Sequence, residues 1–194
     1  MMEIYILEGA RGLGKSTISR ILRDGMTNTL LINMTGNNEN SEEGKRATFK
    51  HYENLMVYLS YEKFDNSPFN FLFDRTFFSE QVYATMYKDY DFTEQFNSLL
   101  RQLDTLADKI KVKVLFLTAD KETIERNLNR EGKAHLFGDA KFSDDVHKSL
   151  SQQAMYEKVM QDAKKSTKSI EFARLDLSNL TLEEVINYVK SQMQ

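Results

Sequence analysis

The residues most capable of chemistry lie near the start of the chain, where residues 9–16 match G-x-x-x-x-G-K-S/T, the pattern of a phosphate-binding P-loop. An apolar run precedes the motif and a helical pattern follows it, as a P-loop requires. In such a loop, backbone N–H groups converge on phosphate oxygens, Lys15 reaches the β- and γ-phosphates, and the Ser16 hydroxyl ligates Mg²⁺. A glycine turn that contains a lysine by accident is the alternative. We therefore predict that a nucleoside triphosphate binds with magnesium, through Gly9, Arg11, Gly12, Gly14, Lys15, Ser16 and Thr17.

A triphosphate site also needs a carboxylate for the metal, and it should lie at the end of a neighbouring apolar strand. Asp74 fits this requirement, because it directly follows the apolar residues 71–73. An isolated aspartate at a strand end is more often a turn or cap residue, but its pairing with a P-loop favours the metal. We therefore predict Ser16 and Asp74 as the magnesium ligands.

Three further arginines could act on an anionic acceptor or on the transferring phosphoryl group. Arg75 follows Asp74 and is placed to grip an anionic acceptor bidentately. Arg126 and Arg130 lie four residues apart, on one face of a predicted helix. They lead into residues 131–142, which have two glycines and mixed charge and which we predict to be a lid loop. A surface arginine and a solvated helix face are the respective alternatives.

The apolar patterns predict the elements that position these residues. Five apolar runs predict strands at 4–7, 29–34, 69–73, 112–117 and 170–177, and the second of them reads as buried. Helical spacing predicts helices at 15–23, 45–63, 76–87, 93–107, after Asp120, at 143–164 and after a capping box at 181–184. Strands that alternate with helices indicate an α/β fold, a doubly wound five-stranded parallel sheet, in a single domain over 1–194.

The composition restricts the classes of function. The chain has 194 residues, a formal net charge of −3 and no cysteine, which excludes disulfides and thiolate metal sites. The net charge disfavours nucleic acid as a partner, since proteins that bind it usually show a basic excess. No apolar run approaches the length of a membrane span, and the N-terminus does not read as a signal peptide, so we expect a cytoplasmic protein without a membrane partner.

The P-loop by itself allows several classes of enzyme. No Asn-Lys-x-Asp guanine-reading element follows a strand, which disfavours a Ras-like GTPase, and the chain is short for a motor. A small-molecule kinase that uses ATP is therefore the leading prediction.

At this point the sequence resembles the thymidylate kinase family of nucleoside monophosphate kinases. The likeness begins with Glu8-Gly9 at the entry to the P-loop and Lys15-Ser16-Thr17 at its exit. It is most specific at residues 74–83 (DRTFFSEQVY), which are similar to the family stretch D-R-x-x-x-S-x-x-x-Y/F. The resemblance implies ATP-dependent phosphorylation of a deoxynucleoside monophosphate, with a dTMP-like acceptor, and it also implies a homodimer.

The resemblance also implies residue roles. Asp74 would act around magnesium and the phosphates, Arg75 would hold the acceptor monophosphate, and Arg126 and Arg130 would clamp the transferring phosphoryl group. The base and the sugar would be contacted by Ser79, Gln81 and Tyr83, the last of which would disfavour a 2′-hydroxyl.

The helix predicted at 45–63 departs from the family, because Arg46 is its only arginine and comes early. Phe49 or Tyr52 could stack on a base there, and a plain apolar helix face is the alternative explanation.

Three other functions stay open. A deoxynucleoside kinase would phosphorylate a 5′-hydroxyl and needs a Glu base after the second strand, where Glu39 is the nearest candidate. A kinase that acts on a hydroxyl in DNA is disfavoured by the acidic net charge. A nucleotide-binding protein without turnover is disfavoured by the intact Lys15, Ser16 and Asp74.

Overall fold

The computed structural model describes residues 2–34, 38–61, 69–129 and 146–193. The strands in this part of the chain are β1 (Glu3–Glu8), β2 (Thr29–Asn33), β3 (Asn70–Asp74), β4 (Lys111–Thr118) and β5 (Glu171–Asp176). The helices are α1 (Lys15–Gly25), α2 (Glu42–Leu59), α3 (Phe77–Tyr87), α4 (Thr93–Ala107), α5 (Lys121–Leu128), α6 (Val146–Ser166) and α7 (Leu182–Met193). Arg130 and the predicted lid loop at 131–142 lie outside the described residues.

The five strands form one sheet in the order β2-β3-β1-β4-β5, and every neighbouring pair is parallel. Side chains alternate across the sheet, so β1 sends Ile4 and Ile6 into one apolar cluster and Tyr5 and Leu7 into the other. Helices cover both clusters, since α2, α3, α4 and α6 contribute to the first and α1, α5 and α7 to the second. The predicted doubly wound parallel sheet is therefore confirmed.

The second strand differs from its prediction. It was expected to be buried, but none of its five residues is fully buried and Leu30 is 42% exposed. The reason is its position, because β2 lies at the edge of the sheet beside β3 alone. An apolar run does not reveal whether a strand will be central or at an edge.

Helix caps explain where several helices begin. The predicted capping box is confirmed, since the Thr181 N–H donates to Glu184 Oε2 (2.8 Å) and the Glu184 N–H donates to Thr181 Oγ1 (3.3 Å). Asp120 caps α5 by accepting from the Thr123 N–H (2.8 Å), as predicted. Helix α2 begins three residues before the predicted start, because the Ser41 hydroxyl caps it by accepting from the Gly44 N–H (3.1 Å).

Within the described ranges, no helix combines the length and the apolar character that crossing a bilayer would require.

Candidate functional site

The predicted P-loop, Asp74 and Arg75 meet at the carboxyl edge of the sheet. Strand β1 lies between β3 and β4 and runs into the P-loop, while β3 ends at Asp74. Leu7 is the register partner of Asp74, and the Arg75 N–H donates to the Leu7 carbonyl (3.1 Å). Ligands of open parallel sheets bind outside this edge, where the direction of winding reverses. The fold therefore brings the two predicted motifs to one place.

The glycines give the phosphate loop its backbone path. Gly9, Gly12 and Gly14 have positive φ angles of 148°, 84° and 74°. A Cβ atom on Gly9 would lie 2.7 Å from the Leu117 carbonyl oxygen, so only glycine fits there. The loop then enters α1, whose first turn exposes the side chains of Ser16 and Thr17. Exposed hydroxyls next to a helix N-terminus are suited to binding phosphate and metal.

Lys15 lies over this loop rather than in solvent. Its side chain is buried, and its Nζ donates to the Ala10 carbonyl at 2.6 Å. This bond holds the ammonium, which carries three donors, over the phosphate loop. Arg11, at the crest of the loop, is half-buried.

Asp74 is the residue best suited to a metal. It is 2% exposed, and its Oδ2 accepts from Asn33 Nδ2 at 3.0 Å, whereas its Oδ1 is buried without a hydrogen-bond partner in the part of the chain that the structure describes. A buried carboxylate oxygen without a partner is costly unless a ligand satisfies it. No group of three acidic or histidine side chains that could hold an ion occurs among the described residues. This donor set fits Mg²⁺, which usually takes one or two protein ligands together with substrate phosphates.

Arg75 has an unusual backbone. Its φ is +73°, a left-handed conformation that costs a non-glycine residue about 1–3 kcal/mol. The guanidinium lies 5.8 Å from the centre of the Tyr83 ring, and its Nη1 donates to the Tyr156 hydroxyl (3.4 Å) and to Ser79 Oγ (3.5 Å). Both bonds are long, so they orient the guanidinium without using its donors fully. Such a group can bind an anion at the edge of the sheet.

A buried carboxyl to which the sequence prediction assigned no role lies beneath Arg75. Glu8 is fully buried and accepts from the Thr76 N–H (2.6 Å), from Thr76 Oγ1 (2.9 Å) and from Ser79 Oγ (2.6 Å). The Ser79 hydroxyl is also 2.6 Å from the Tyr156 hydroxyl, so the network continues to Arg75. The sequence signals for Glu8 are an acidic residue that ends an otherwise apolar strand and its place at the start of the family resemblance.

Burial raises the pKa of Glu8 to about 7, against the lowering effects of the Ser79 bond and the Arg75 charge. The folded state therefore binds this proton more tightly than the unfolded state does. Stability from Glu8 is present below pH 4.5 and is lost as pH rises to about 7.

Replacing Glu8 with Gln should remove this dependence on pH, because an amide still accepts from Thr76 and does not ionise. Relative to the wild type, the free energy of unfolding of Glu8→Gln should rise between pH 4.5 and 8 by at most about 3 kcal/mol, at 1.36 kcal/mol per pKa unit. Urea unfolding at several pH values measures this difference. A difference that stays constant with pH would contradict the assignment.

Helix α3 divides its predicted residues between two faces. Ser79 and Tyr83 lie on the face that contacts Arg75. Gln81 points instead toward the start of α4, where its Nε2 donates to Thr93 Oγ1 at 3.3 Å. The structure therefore does not bring Gln81 together with the others. Phe49 lies half-buried on α2 against the apolar cluster on that side of the sheet. The base-binding roles of these residues stay predictions.

A cavity of about 280 Å³ opens beside the phosphate loop. Residues from the loop, α1, α5 and the segment between β5 and α7 line it, among them Gly14, Thr17, Arg126 and Leu180. Arg126 is held there by a bond from its Nη2 to Thr123 Oγ1 (3.3 Å). The predicted clamp arginine therefore lies in a cavity wall next to the first turn of α1.

Comparison with known proteins identifies the fold. No family model matches the chain. The SPbeta prophage-derived uncharacterized protein YorR of Bacillus subtilis (strain 168) is 29% identical over 139 residues, which are 71% of this chain and 74% of that protein. Thymidylate kinase from Candida albicans has a similar structure, with a TM-score of 0.60 and 19% identity, covering 98% of this chain and 90% of that chain.

A deoxyadenosine kinase from M. mycoides with bound dATP is also similar, with a TM-score of 0.54, 17% identity and 98% coverage of both chains. At these identities the likeness concerns the architecture. The chain has the P-loop kinase fold that these two kinases share.

Proposed function

We propose that this protein is a kinase that transfers the γ-phosphoryl group of Mg-ATP to a deoxynucleoside monophosphate, with a dTMP-like acceptor as the first candidate. The observation that carries the proposal is the Asp74-Arg75 pair at the end of β3. It combines a buried carboxylate oxygen that lacks a partner among the described residues with a guanidinium suited to an anion. The similarity to a thymidylate kinase and a deoxyadenosine kinase supports a nucleoside or nucleotide substrate.

The donor side is built from the phosphate loop. Lys15 would contact the β- and γ-phosphates, and Ser16 and Asp74 would hold magnesium. The cavity beside Thr17 and Arg126 would receive the rest of the donor nucleotide. Magnesium, when bound, neutralises negative charge on the phosphate oxygens. The residues themselves contribute position and charge, which is most of what phosphoryl transfer requires.

The acceptor side would be built around Arg75. Its guanidinium would hold the acceptor phosphate bidentately and align the attacking oxygen with the γ-phosphorus. Tyr83, under the guanidinium, would lie beside the sugar, where a bulky ring disfavours a 2′-hydroxyl. A homodimer stays a prediction.

A monophosphate is already anionic and needs no strong base, whereas a nucleoside hydroxyl must lose a proton. The contacts of the described carboxyl groups near the site argue against their acting as a catalytic base for a nucleoside hydroxyl. Strand β2 ends at Asn33, whose amide donates to Asp74. Glu39 is exposed and accepts from Ser41 Oγ (3.0 Å) at the start of α2, and both oxygens of Glu8 accept from Thr76 or Ser79. These contacts favour the monophosphate over the nucleoside as acceptor.

The test is an assay of ADP release with Mg-ATP, offering the four deoxynucleoside monophosphates beside the four deoxynucleosides. We expect turnover with at least one monophosphate and none with a nucleoside. Turnover with nucleosides alone would contradict the proposal and make Glu39 the base to substitute. Absence of turnover with all eight would leave a hydroxyl in DNA or nucleotide binding without turnover.

A further inference from the structure

Gln152 connects two parts of the site that are far apart in the sequence. It lies on α6 and is 2% exposed. Its Oε1 accepts from the backbone N–H of Arg11 in the phosphate loop (3.2 Å), and its Nε2 donates to the Tyr87 hydroxyl on α3 (3.0 Å). One buried amide therefore holds a phosphate-loop N–H on one side and the end of the acceptor-side helix on the other.

The connection continues from Tyr87 to Arg75. The rings of Tyr87 and Tyr83 pack with centroids 5.6 Å apart, and the Arg75 guanidinium lies over Tyr83 at 5.8 Å. Hydrogen bonds and packed side chains thus run without a break from the backbone of the donor loop to the arginine assigned to the acceptor. Contiguous contacts of this kind can carry coupling between two sites if both sites bias the same element.

We propose that Gln152 is a positioning residue that couples nucleotide binding at the phosphate loop to the position of α3. A nucleotide that orders the loop fixes the Arg11 N–H. Gln152 then holds Tyr87, and α3 presents Tyr83 and Arg75 in one arrangement. Nucleotide binding therefore raises the affinity for an acceptor at Arg75. By reciprocity, a bound acceptor raises the affinity for the nucleotide by the same factor. The coupling between acceptor and nucleotide rests on the proposed function, whereas the effect of the nucleotide on α3 requires only that a nucleotide binds.

The chain offers a matched control in the next residue. Gln153 also makes two side-chain hydrogen bonds, accepting from the Ala119 N–H (2.9 Å) and donating to the Ala119 carbonyl (3.1 Å). It ties the same helix to the end of β4, and neither bond involves the phosphate loop or α3. A substitution at 153 therefore tests whether any loosened α6 has the same effect.

The first measurement is hydrogen exchange of residues 77–87 with and without Mg-ADP, in the wild type, Gln152→Met and Gln153→Met. We expect Mg-ADP to slow exchange in α3 of the wild type and of Gln153→Met, and not in Gln152→Met. No effect of Mg-ADP on α3 in the wild type would overturn the proposal. Equal protection in Gln152→Met, or equal loss in Gln153→Met, would overturn it too.

Tyr87→Phe is a second variant in case Gln152→Met does not fold. It removes only the hydroxyl that Gln152 contacts, and it keeps the ring that packs on Tyr83. The protection of α3 by Mg-ADP should fall in this variant, while Mg-ADP still binds. Full protection in Tyr87→Phe would contradict the route through this hydrogen bond.

The second measurement is the affinity for Mg-ADP with and without a monophosphate that the wild type turns over. We expect the acceptor to raise the affinity for Mg-ADP about 5-fold or more in the wild type and in Gln153→Met, which is the lower range of typical coupling. In Gln152→Met we expect the acceptor to leave the affinity for Mg-ADP nearly unchanged. Unchanged coupling in Gln152→Met would overturn the proposal. If no monophosphate is turned over, the proposed function fails, and the hydrogen-exchange measurement still decides the role of Gln152.

Discussion

Lys15→Met should reduce phosphoryl transfer by about 10²–10³-fold or more, the usual cost of removing one preorganised donor from a developing anion. The ammonium is held over the phosphate loop by the Ala10 carbonyl, so its charge is already in place before the nucleotide binds. Methionine fills the volume of the buried stem and removes only the charge and the donors. The loss should therefore fall on turnover and leave the fold intact.

Three measurements separate these effects for Lys15→Met. Coupled ADP release gives the rate, titration calorimetry gives the affinity for Mg-ADP, and urea unfolding gives the stability. Lys165→Met is the matched control, because that lysine is exposed near the end of α6, with Asp162 as its neighbour at 3.6 Å. Turnover of Lys15→Met near the wild-type rate would refute the assignment of residues 9–16 as the catalytic phosphate loop.

The elements were predictable because their signals are local. Apolar runs of four to eight residues mark the strands of a parallel sheet, and the P-loop pattern places glycines where the backbone needs positive φ. Asp74 and Arg75 could be found in the same way, since they end an apolar run. The early start of α2 was also within reach, because Ser41 precedes two glutamates, a common N-terminal signal that the helical spacing alone did not weigh.

The rest of the site depends on contacts between distant residues. Glu8 and Ser79 are 71 positions apart, Ser79 and Tyr156 are 77 apart, and Arg11 and Gln152 are 141 apart. No periodicity relates such pairs, so they become visible only when the strand order brings them together. The exposure of β2 is of the same kind, because it follows from the order of the strands rather than from their residues.

The backbone conformation of Arg75 connects the fold to the role that we propose for this residue. A residue with φ of +73° persists only where the surrounding structure determines it, and here the Leu7 carbonyl holds its N–H while Tyr83 and Tyr156 hold its guanidinium. Asparagine tolerates this backbone conformation better than most residues. Arg75→Asn therefore removes the guanidinium with little disturbance of the main chain.

We expect Arg75→Asn to lower kcat/KM for the monophosphate by about a hundredfold or more, because it removes one partner of the ion pair proposed between the guanidinium and the acceptor phosphate. The affinity for Mg-ADP should stay unchanged. Arg75→Lys should lie in between, because lysine keeps the charge and loses the planar fork.

The exposed Arg101 on α4 gives the control Arg101→Asn, which should match the wild type. Steady-state kinetics with the acceptor varied, together with calorimetry of Mg-ADP, distinguishes the outcomes. If Arg75→Asn weakened only Mg-ADP, the arginine would belong to the donor side, and the acceptor would have to bind elsewhere on this edge of the sheet.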